Sequence, residues 1–468
     1  MSWKRKLIVG LVLAVCAVLV LGLLGTTGFV AWYLWTGREV HAAYSAKILA
    51  SGVFVAGRTP ESVAEQELAL VPFLKYAVDR ENQSVTAWTF DRYRKTAVYR
   101  DGLGGALAHD GDIEALKRQA RPDLLPDPES SALPWPRGAM PSGNPRPTGF
   151  DEAKLADGVN QFFDEPRGLL RRHTRAIVVV YEDEIIAEQY ADGFDVNQRF
   201  PAWSMTKSVT QALCGIAVKE GLLSVSDGVP FWQDRDDPRS EITVDMLLRM
   251  SSGLDYSENY FDPNGEPTAM LFLSAGAGEY AASRPLKHPP DTVWAYTSAT
   301  TNLLSLMLRH AYGDDAYHAL PYQQLFARIG MTGAVIEADA TGAYVGSSFM
   351  HATARDYARF GMLYLHDGLW QGERILPEGW ADYARTPTPT AGNAQYGAHW
   401  WLIGRSAREK AARDGRPIPD DVFFASGFEG QFIVVIPSRQ LVMVQLSLDL
   451  LRISPVPLIQ AVLAAFDP

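Results

Sequence analysis

Two pairs of apolar segments, far apart in the chain, most constrain its fold. Thr174–Tyr181 and Glu184–Tyr190 are separated by two residues typical of a turn, and the first is β-branched almost throughout, as in a strand buried on both faces. Residues 431–437 and Leu441–Ser447 form a second such hairpin. Helical patterns lie between the hairpins. The sequence therefore predicts an α+β fold with a central antiparallel sheet built from both ends, flanking helices and a helical subdomain.

Amphipathic or buried periodicity predicts the helices of this domain. Each stretch shows apolar residues at helical spacing, and the first ends just before Gly221, a typical residue after a helix end. The predicted helices are 204–220, 244–250, 300–310, 353–366 and the closing helix 456–466.

The N-terminal region carries no charged residue from position 7 to 37. This run exceeds the about 20 residues that span a bilayer, and Trp32, Tyr33 and Trp35 suit an interfacial belt. Basic residues 4–6 place the N-terminus in the cytoplasm. A cleaved signal peptide would have a shorter apolar run than the one found here. The alternative of a lipoprotein with its site at Cys16 is disfavoured because the apolar run continues well past Cys16. We predict a single-pass protein of the bacterial inner membrane with the rest of the chain in the periplasm.

Three regions follow from these patterns. Residues 1–39 are the cytoplasmic N-terminus and transmembrane anchor. Residues 40–148 are an N-terminal extension with a small β unit, in which a strand runs into a Gly-rich loop at 96–107, and a Pro-rich linker at 122–147. Residues 149–468 are the main domain.

Composition excludes several classes of function. The net charge is -11, and no basic stripe exists beyond residues 4–6, so nucleic acid is not an expected partner. No H-E-x-x-H or tight His/Asp/Glu cluster, no G-x-S-x-G and no phosphate-binding loop occurs. We therefore predict no metal and no cofactor. Besides Cys16 the chain has only Cys214, which lies among apolar helix residues and is predicted to be an inert buried thiol.

The chemistry points to Ser204 and Lys207, which lie three residues apart at the start of a predicted helix. This spacing places both side chains on one helical face. A serine needs a proton acceptor to act as a nucleophile, and burial lowers the pKa of a lysine enough to make it one. The alternative is a helix start that contains a lysine by chance.

Two later segments strengthen the catalytic interpretation. Tyr296 lies in a loop that leads into a helix, where its hydroxyl could transfer protons, although a half-buried structural tyrosine is the alternative. Gly427 and Gly430 stand at the start of the last hairpin, which indicates either close approach of a ligand or a simple bulge.

The segments SMTK, YTS and ASG, in this order, resemble the three motifs of the serine β-lactamase and penicillin-binding superfamily. Residues 247–260, 346–380 and 426–444 resemble its class C branch, and the similarity covers the main domain. The Y-x-S form and the SGFEGQ segment are most similar to 6-aminohexanoate-dimer hydrolases and related carboxylesterases. The resemblance implies a β-lactamase/transpeptidase-like fold.

The resemblance also implies roles for particular residues. Ser204 would be the acylated nucleophile. Lys207 would accept its proton or hold Tyr296 ionised, and Tyr296 would act as the base for acylation and return the proton to the leaving group. The backbone N–H groups of Ser204 and Phe428 would form the oxyanion hole.

The sequence departs from the β-lactamase motifs at two points. Ser298 stands in place of asparagine, and Ala425 replaces the lysine that binds a β-lactam carboxylate. Tyr256 and Tyr260 lie where the resembling hydrolases have a substrate-gating loop. The residues predicted to contact substrate are Ser298, Ser426, Gly427, Tyr256 and Tyr260.

These observations predict a membrane-anchored serine hydrolase that cleaves a small or peptide-like linear amide or ester. The alternatives are a D-amino-acid peptidase or β-lactamase with the same fold, and a sensor that keeps the fold without catalysis. Oligomeric state does not follow from the sequence.

Overall fold

The computed structural model describes residues 28, 32 and 35–466, apart from residues 91, 110, 125–131, 165–172, 234–235 and 261. Its strands form a four-stranded N-terminal sheet, a six-stranded central sheet and two small sheets. The strands are β1 (Lys75–Asp79), β2 (Ser84–Thr89), β3 (Tyr93–Arg100), β4 (Gly104–Leu107), β5 (Thr174–Tyr181), β6 (Glu184–Tyr190), β7 (Phe200–Pro201), β8 (Val335–Ile336), β9 (Met350–Ala352), β10 (Leu369–Trp370), β11 (Glu373–Arg374), β12 (Trp401–Leu402), β13 (Phe423–Gly427), β14 (Gln431–Ile436) and β15 (Leu441–Ser447).

The central sheet has the order β12-β13-β14-β15-β5-β6, with all neighbours antiparallel. The C-terminal strand β15 pairs directly with β5, for example Val444 opposite Val178. All but the last residue of β5 are buried, because both faces of the strand are covered. The prediction of an antiparallel sheet built from both ends, flanked by helices, is confirmed.

The helices of the main domain surround this sheet and lie close to their predicted positions. Their ends differ by a few residues, as expected where capping geometry decides the last turn. The α-helices of six or more residues are Arg38–Ala50, Pro60–Gln66, Glu152–Asn160, Thr206–Lys219, Ala277–Ala282, Ser298–Tyr312, Asp314–Ala319, Ala354–Leu365, Trp380–Arg385, Arg405–Arg413 and Val456–Leu463, and the predicted helix at 244–250 is the short helix Val244–Leu248.

The N-terminal sheet runs β1-β2-β3-β4 and packs on the helix Arg38–Ala50. The loop predicted for the Gly-rich segment after β3 is confirmed at residues 101–103, which form a turn, and is wrong for Gly104 and Gly105, which pair with Arg100 and Tyr99 as strand β4. Glycine is required here by close approach: a Cβ on Gly104 would lie 2.4 Å from Cγ of Glu337 in the main domain.

A buried ion pair joins the N-terminal unit to the main domain. Lys47 Nζ lies 2.6 Å from Oε2 of Glu337, and both side chains are almost fully buried. Ser51 Oγ and the Gly105 N–H also donate to this carboxylate, at 2.9 and 2.7 Å. The N-terminal unit therefore supplies three hydrogen-bond donors to Glu337, and His351 Nδ1 of the main domain lies 3.6 Å from Oε2. The boundary at residues 148 and 149 stays a prediction.

No helix in the described part of the chain combines the length and apolar character needed to cross a membrane. The predicted span at residues 7–37 lies almost entirely outside the described residues. The transmembrane helix therefore stays a prediction.

Candidate active site

Ser204 lies in a tight turn, Trp203–Met205, that leads directly into the helix Thr206–Lys219. The hydroxyl therefore stands at the N-terminal end of this helix, where the helix dipole favours a developing negative charge. Trp203 has a φ of +47°, an unfavourable conformation for a bulky residue. Such backbone strain persists only where the surroundings impose it, and it concentrates at functional sites.

Lys207 lies one turn along this helix and is 1% exposed. Its Nζ donates to Ser204 Oγ at 3.0 Å, to Ser298 Oγ at 3.0 Å and to the carbonyl oxygen of Ser347 at 2.9 Å. Burial lowers the pKa of Lys207 to about 8, and the negative charge of Glu258 opposes this shift. A large fraction of the amine is therefore neutral near pH 8 and able to accept a proton.

Tyr296 precedes the helix Ser298–Tyr312, whose first turn is capped by Thr297. Its ring packs against Tyr396 and Trp401, with centroids 5.9 and 5.2 Å away, and lies 5.1 Å from Lys207 Nζ. The neighbouring Ser204 side chain favours the phenolate of Tyr296. Burial outweighs this effect and raises the pKa of Tyr296. The structure thus brings Ser204, Lys207 and Tyr296 together.

The end of β13 lies against the segment that carries Ser204. A Cβ on Gly427 would approach the Ala202 carbonyl oxygen to 2.2 Å, so only glycine permits this contact. The next residue, Phe428, packs its ring edge-on to Trp203 with centroids 5.7 Å apart. The backbone of Phe428 is thereby held beside that of Ser204, as the predicted oxyanion hole requires. Ser426 and Gly427 are the last two residues of β13.

Glu429 connects the segment that carries Phe428 to the segment that carries Ser204. Its Oε2 accepts a hydrogen bond from Trp203 Nε1 at 3.2 Å. Burial raises the pKa of Glu429 to about 7, with a further increase from Glu67 and an opposing effect of Arg175. Arg175 and Glu67 are themselves paired at 2.8 Å. A buried carboxyl group therefore joins the two candidate oxyanion donors.

Glu429→Gln should make unfolding less dependent on pH between about 4.5 and 7. The wild-type protein binds a proton at Glu429 more tightly when folded than when unfolded, because the folded pKa of about 7 exceeds the usual 4.5. Its stability therefore falls as pH rises through this window, by up to about 3 kcal/mol. Glutamine keeps the acceptor for Trp203 and removes the titration. Denaturant unfolding of both proteins at pH 5 and 8 measures the difference, and an unchanged pH dependence would contradict the assignment.

Glu258 is the main site residue that the sequence reasoning missed. Its carboxylate accepts from Ser298 N at 2.8 Å, Ser298 Oγ at 2.5 Å and the Tyr260 hydroxyl at 2.8 Å. Tyr260 thus reaches the site, whereas Tyr256 is buried with its hydroxyl 3.9 Å from Met270 Sδ. The only sequence signal was the position of Glu258 between these two tyrosines.

Ser347 and Asn302 were missed as well. Ser347 accepts a hydrogen bond from Lys207 and donates its own N–H to Asn302 Oδ1 at 3.2 Å. The prediction for Cys214 is confirmed as to burial, and burial raises the pKa of its thiol to about 12. Over the described residues, no three His, Cys, Asp or Glu side chains are grouped so as to hold a metal ion.

Comparison with known proteins matches residues 159–452 to the family described as Beta-lactamase. A 6-aminohexanoate-dimer hydrolase of Paenarthrobacter ureafaciens is 28% identical over 259 residues, which cover 49% of this chain and 64% of that protein. The chain therefore spans less than two thirds of the length of this relative. The resemblance inferred from the motifs is confirmed.

Solved structures share the fold at low sequence identity. A penicillin-binding protein homologue from Caulobacter crescentus has a TM-score of 0.53 at 16% identity, covering 68% of this chain and 99% of that one. A family VIII carboxylesterase has a TM-score of 0.51 at 15% identity, with the same coverage. The predicted β-lactamase-like fold is therefore confirmed.

Proposed function

The chain belongs to the Beta-lactamase family and is a serine hydrolase, and from this premise we propose that it cleaves a linear amide or ester bond through an acyl-enzyme on Ser204. One observation carries the proposal. Lys207 Nζ, buried and with a pKa lowered to about 8, lies 3.0 Å from Ser204 Oγ. A nucleophile and a base within hydrogen-bonding reach are what acyl transfer requires.

The proposed reaction begins when neutral Lys207 takes the proton of Ser204. The oxygen attacks the substrate carbonyl carbon, and the developing oxyanion is stabilised by the N–H groups of Ser204 and Phe428. Collapse of the intermediate breaks the bond to the leaving amine or alcohol, which receives a proton. Water then attacks the acyl-enzyme and restores Ser204. Lys207 is favoured as the base because burial lowers its pKa, whereas burial raises the pKa of Tyr296.

Tyr296 is better suited to carry the proton to the leaving group. Its phenol stays protonated because burial raises its pKa, and its ring lies 5.1 Å from Lys207 Nζ, which donates to the reacting hydroxyl. It gives its proton to the leaving amine or alcohol and regains one from the lysine ammonium. General acids in this role contribute about 10²- to 10⁴-fold to rate.

The site's charges favour a linear substrate over a β-lactam. Ala425 occupies the position at which β-lactamases carry a lysine for the substrate carboxylate. The Glu258 carboxylate at Ser298 adds negative charge beside the nucleophile. Both features weaken the binding of an anionic β-lactam. The relative from Paenarthrobacter ureafaciens is named for hydrolysis of a linear amide, the 6-aminohexanoate dimer.

The proposal includes attachment to the bacterial inner membrane with the hydrolase domain in the periplasm. The uncharged run of residues 7–37 and the basic residues 4–6 support it. The substrate would then be a small or peptide-like amide or ester outside the cytoplasm.

A hydrolysis panel on the detergent-solubilised full chain tests the substrate class. The panel contains p-nitrophenyl esters, 6-aminohexanoate dimer, a D-alanyl peptide and a chromogenic cephalosporin. We expect turnover of the esters or the dimer at least tenfold above that of the cephalosporin. Preferential turnover of the D-alanyl peptide or the cephalosporin would favour a cell-wall peptidase or β-lactamase instead. Saturable binding without any turnover would indicate a sensor.

A further inference from the structure

One end of the N-terminal sheet presents aromatic side chains to solvent. Phe73, just before β1, is 67% exposed, and Phe90, just after β2, is 38% exposed. Their ring centroids lie 5.1 Å apart. Trp35 is 56% exposed and meets Tyr93 edge-on with centroids 6.4 Å apart. Soluble surfaces rarely gather large apolar side chains in this way without a binding function.

Strand register places these residues at the same end of the sheet. Lys75 at the start of β1 pairs with Trp88 near the end of β2. Thr89, the last residue of β2, pairs with Tyr93, the first of β3. The Thr89 hydroxyl also donates to the Arg38 carbonyl oxygen at 3.1 Å. The first residue of the helix Arg38–Ala50 therefore lies at this end too.

Basic side chains surround the aromatic ones. The Arg38 guanidinium stacks 4.4 Å from the Trp35 ring and 4.6 Å from that of Tyr93. Arg94 stacks 4.0 Å from the Trp88 ring. The charged residues described at this end include Arg38, Lys75, Arg92, Arg94 and Lys95, with Glu39 facing Lys95 at 3.8 Å, whereas Asp91 lies outside the described residues.

We propose that this aromatic and basic end of the N-terminal sheet rests on the lipid headgroup surface of the membrane. The inference rests on the proposed anchor. The uncharged run ends at Gly37, and the next residue, Arg38, is bonded to the sheet end itself. If the run enters the bilayer, this sheet end is the part of the folded protein next to the headgroups.

The chemistry of the surface fits a lipid interface. Aromatic rings prefer the interfacial depth, and Lys and Arg side chains are attracted to an anionic membrane surface. Together these contacts would fix the orientation of the hydrolase domain, since the N-terminal unit is joined to it by the buried Lys47–Glu337 pair. A flexible tether alone would leave that orientation free.

Fluorescence quenching in vesicles tests this placement on the full chain. Phe73→Cys and Phe90→Cys, each with Cys16→Ser, carry a bimane label, and the buried Cys214 stays unlabelled. Leu222→Cys, an exposed position after the helix Thr206–Lys219, is the matched control. The vesicles contain three parts phosphatidylethanolamine to one part phosphatidylglycerol, with lipids spin-labelled near the headgroup. We expect quenching at positions 73 and 90 at least twofold above that at 222.

Charge reversal gives a second measurement. Arg92→Glu with Arg94→Glu should reduce quenching at position 73 in the anionic vesicles by about half, with a smaller change in purely zwitterionic vesicles. Equal quenching at 73, 90 and 222 in protein that floats with the vesicles would overturn the proposal and leave the anchor intact. A blue-shifted emission without lipid quenching would assign the surface to a second copy of the chain. Protein that fails to float would overturn the anchor and this proposal together, whereas the hydrolysis panel would be unaffected.

Discussion

Ser204→Ala will reduce hydrolysis of the best substrate of the panel by at least about 10³-fold and abolish covalent labelling by a fluorophosphonate probe. The alanine removes the Ser204 hydroxyl, which lies 3.0 Å from Lys207 Nζ in the turn before the helix Thr206–Lys219, and so leaves no atom to be acylated at this position. Initial rates and intact mass after probe treatment measure both effects.

Ser208→Ala is the matched control for this variant. Ser208 lies one turn further along the same helix, and its hydroxyl donates to the His399 carbonyl oxygen at 2.7 Å, away from Ser204. Its loss should cost about 1 kcal/mol of stability and leave turnover within about threefold. Equal labelling of wild type and Ser204→Ala would refute the assignment of the nucleophile.

Lys207→Met will lower kcat/KM by about 10²- to 10⁴-fold, the usual contribution of a general base. Methionine matches the length and apolar stem of the buried lysine, so the fold should persist. In the wild type, kcat/KM should rise with pH through about 8, because the amine must be neutral to accept the proton of Ser204. In the variant, the residual kcat/KM should no longer rise with pH near 8. Full activity of a folded Lys207→Met protein would exclude lysine as the base.

Glu258→Gln tests the effect of the Glu258 charge on the pKa of Lys207 while an acceptor for Ser298 is kept. The negative charge of Glu258 raises the pKa of Lys207, so its removal should shift the acidic limb of kcat/KM to lower pH. Glutamine retains an oxygen that accepts from Ser298. If the rise of kcat/KM with pH moves to higher pH or stays in place, it does not arise from deprotonation of Lys207.

The sequence predicted the elements that carry catalytic chemistry because short-range patterns determine them. Ser204 and Lys207 face each other through helical spacing alone, and the apolar flanks of the helix predicted the burial that lowers the pKa of Lys207. That hairpins from both ends of the domain build one sheet was accessible because β5 and β15 are apolar on both faces. The positions of helix ends were less accurate, since capping contacts decide them.

Contacts between distant segments were not accessible in this way. Glu258 lies in a loop, and nothing in its neighbours along the chain indicates that it reaches Ser298. Glu429 lies in the SGFEGQ segment, but its neighbours along the chain do not indicate its role. Its environment is set by Trp203 and Arg175, which lie on other elements. The sequence predicts a loop at Gly104 and Gly105, because Glu337, which they contact, is more than 230 positions away in the chain. The roles of the site residues and the membrane anchor stay predictions.

The Lys47–Glu337 contact has a consequence for the size of the cooperative folding unit. Apolar side chains of the N-terminal unit and of the main domain also belong to one buried cluster, so separating the two units would expose apolar surface on both. A chain shortened to begin at residue 149 would keep Glu337 but lose Lys47, Ser51 and the Gly105 N–H that satisfy it. We therefore expect the residues that match the Beta-lactamase family to be less stable alone than together with residues 38–148. The smallest fragment that we expect to unfold cooperatively begins near residue 38.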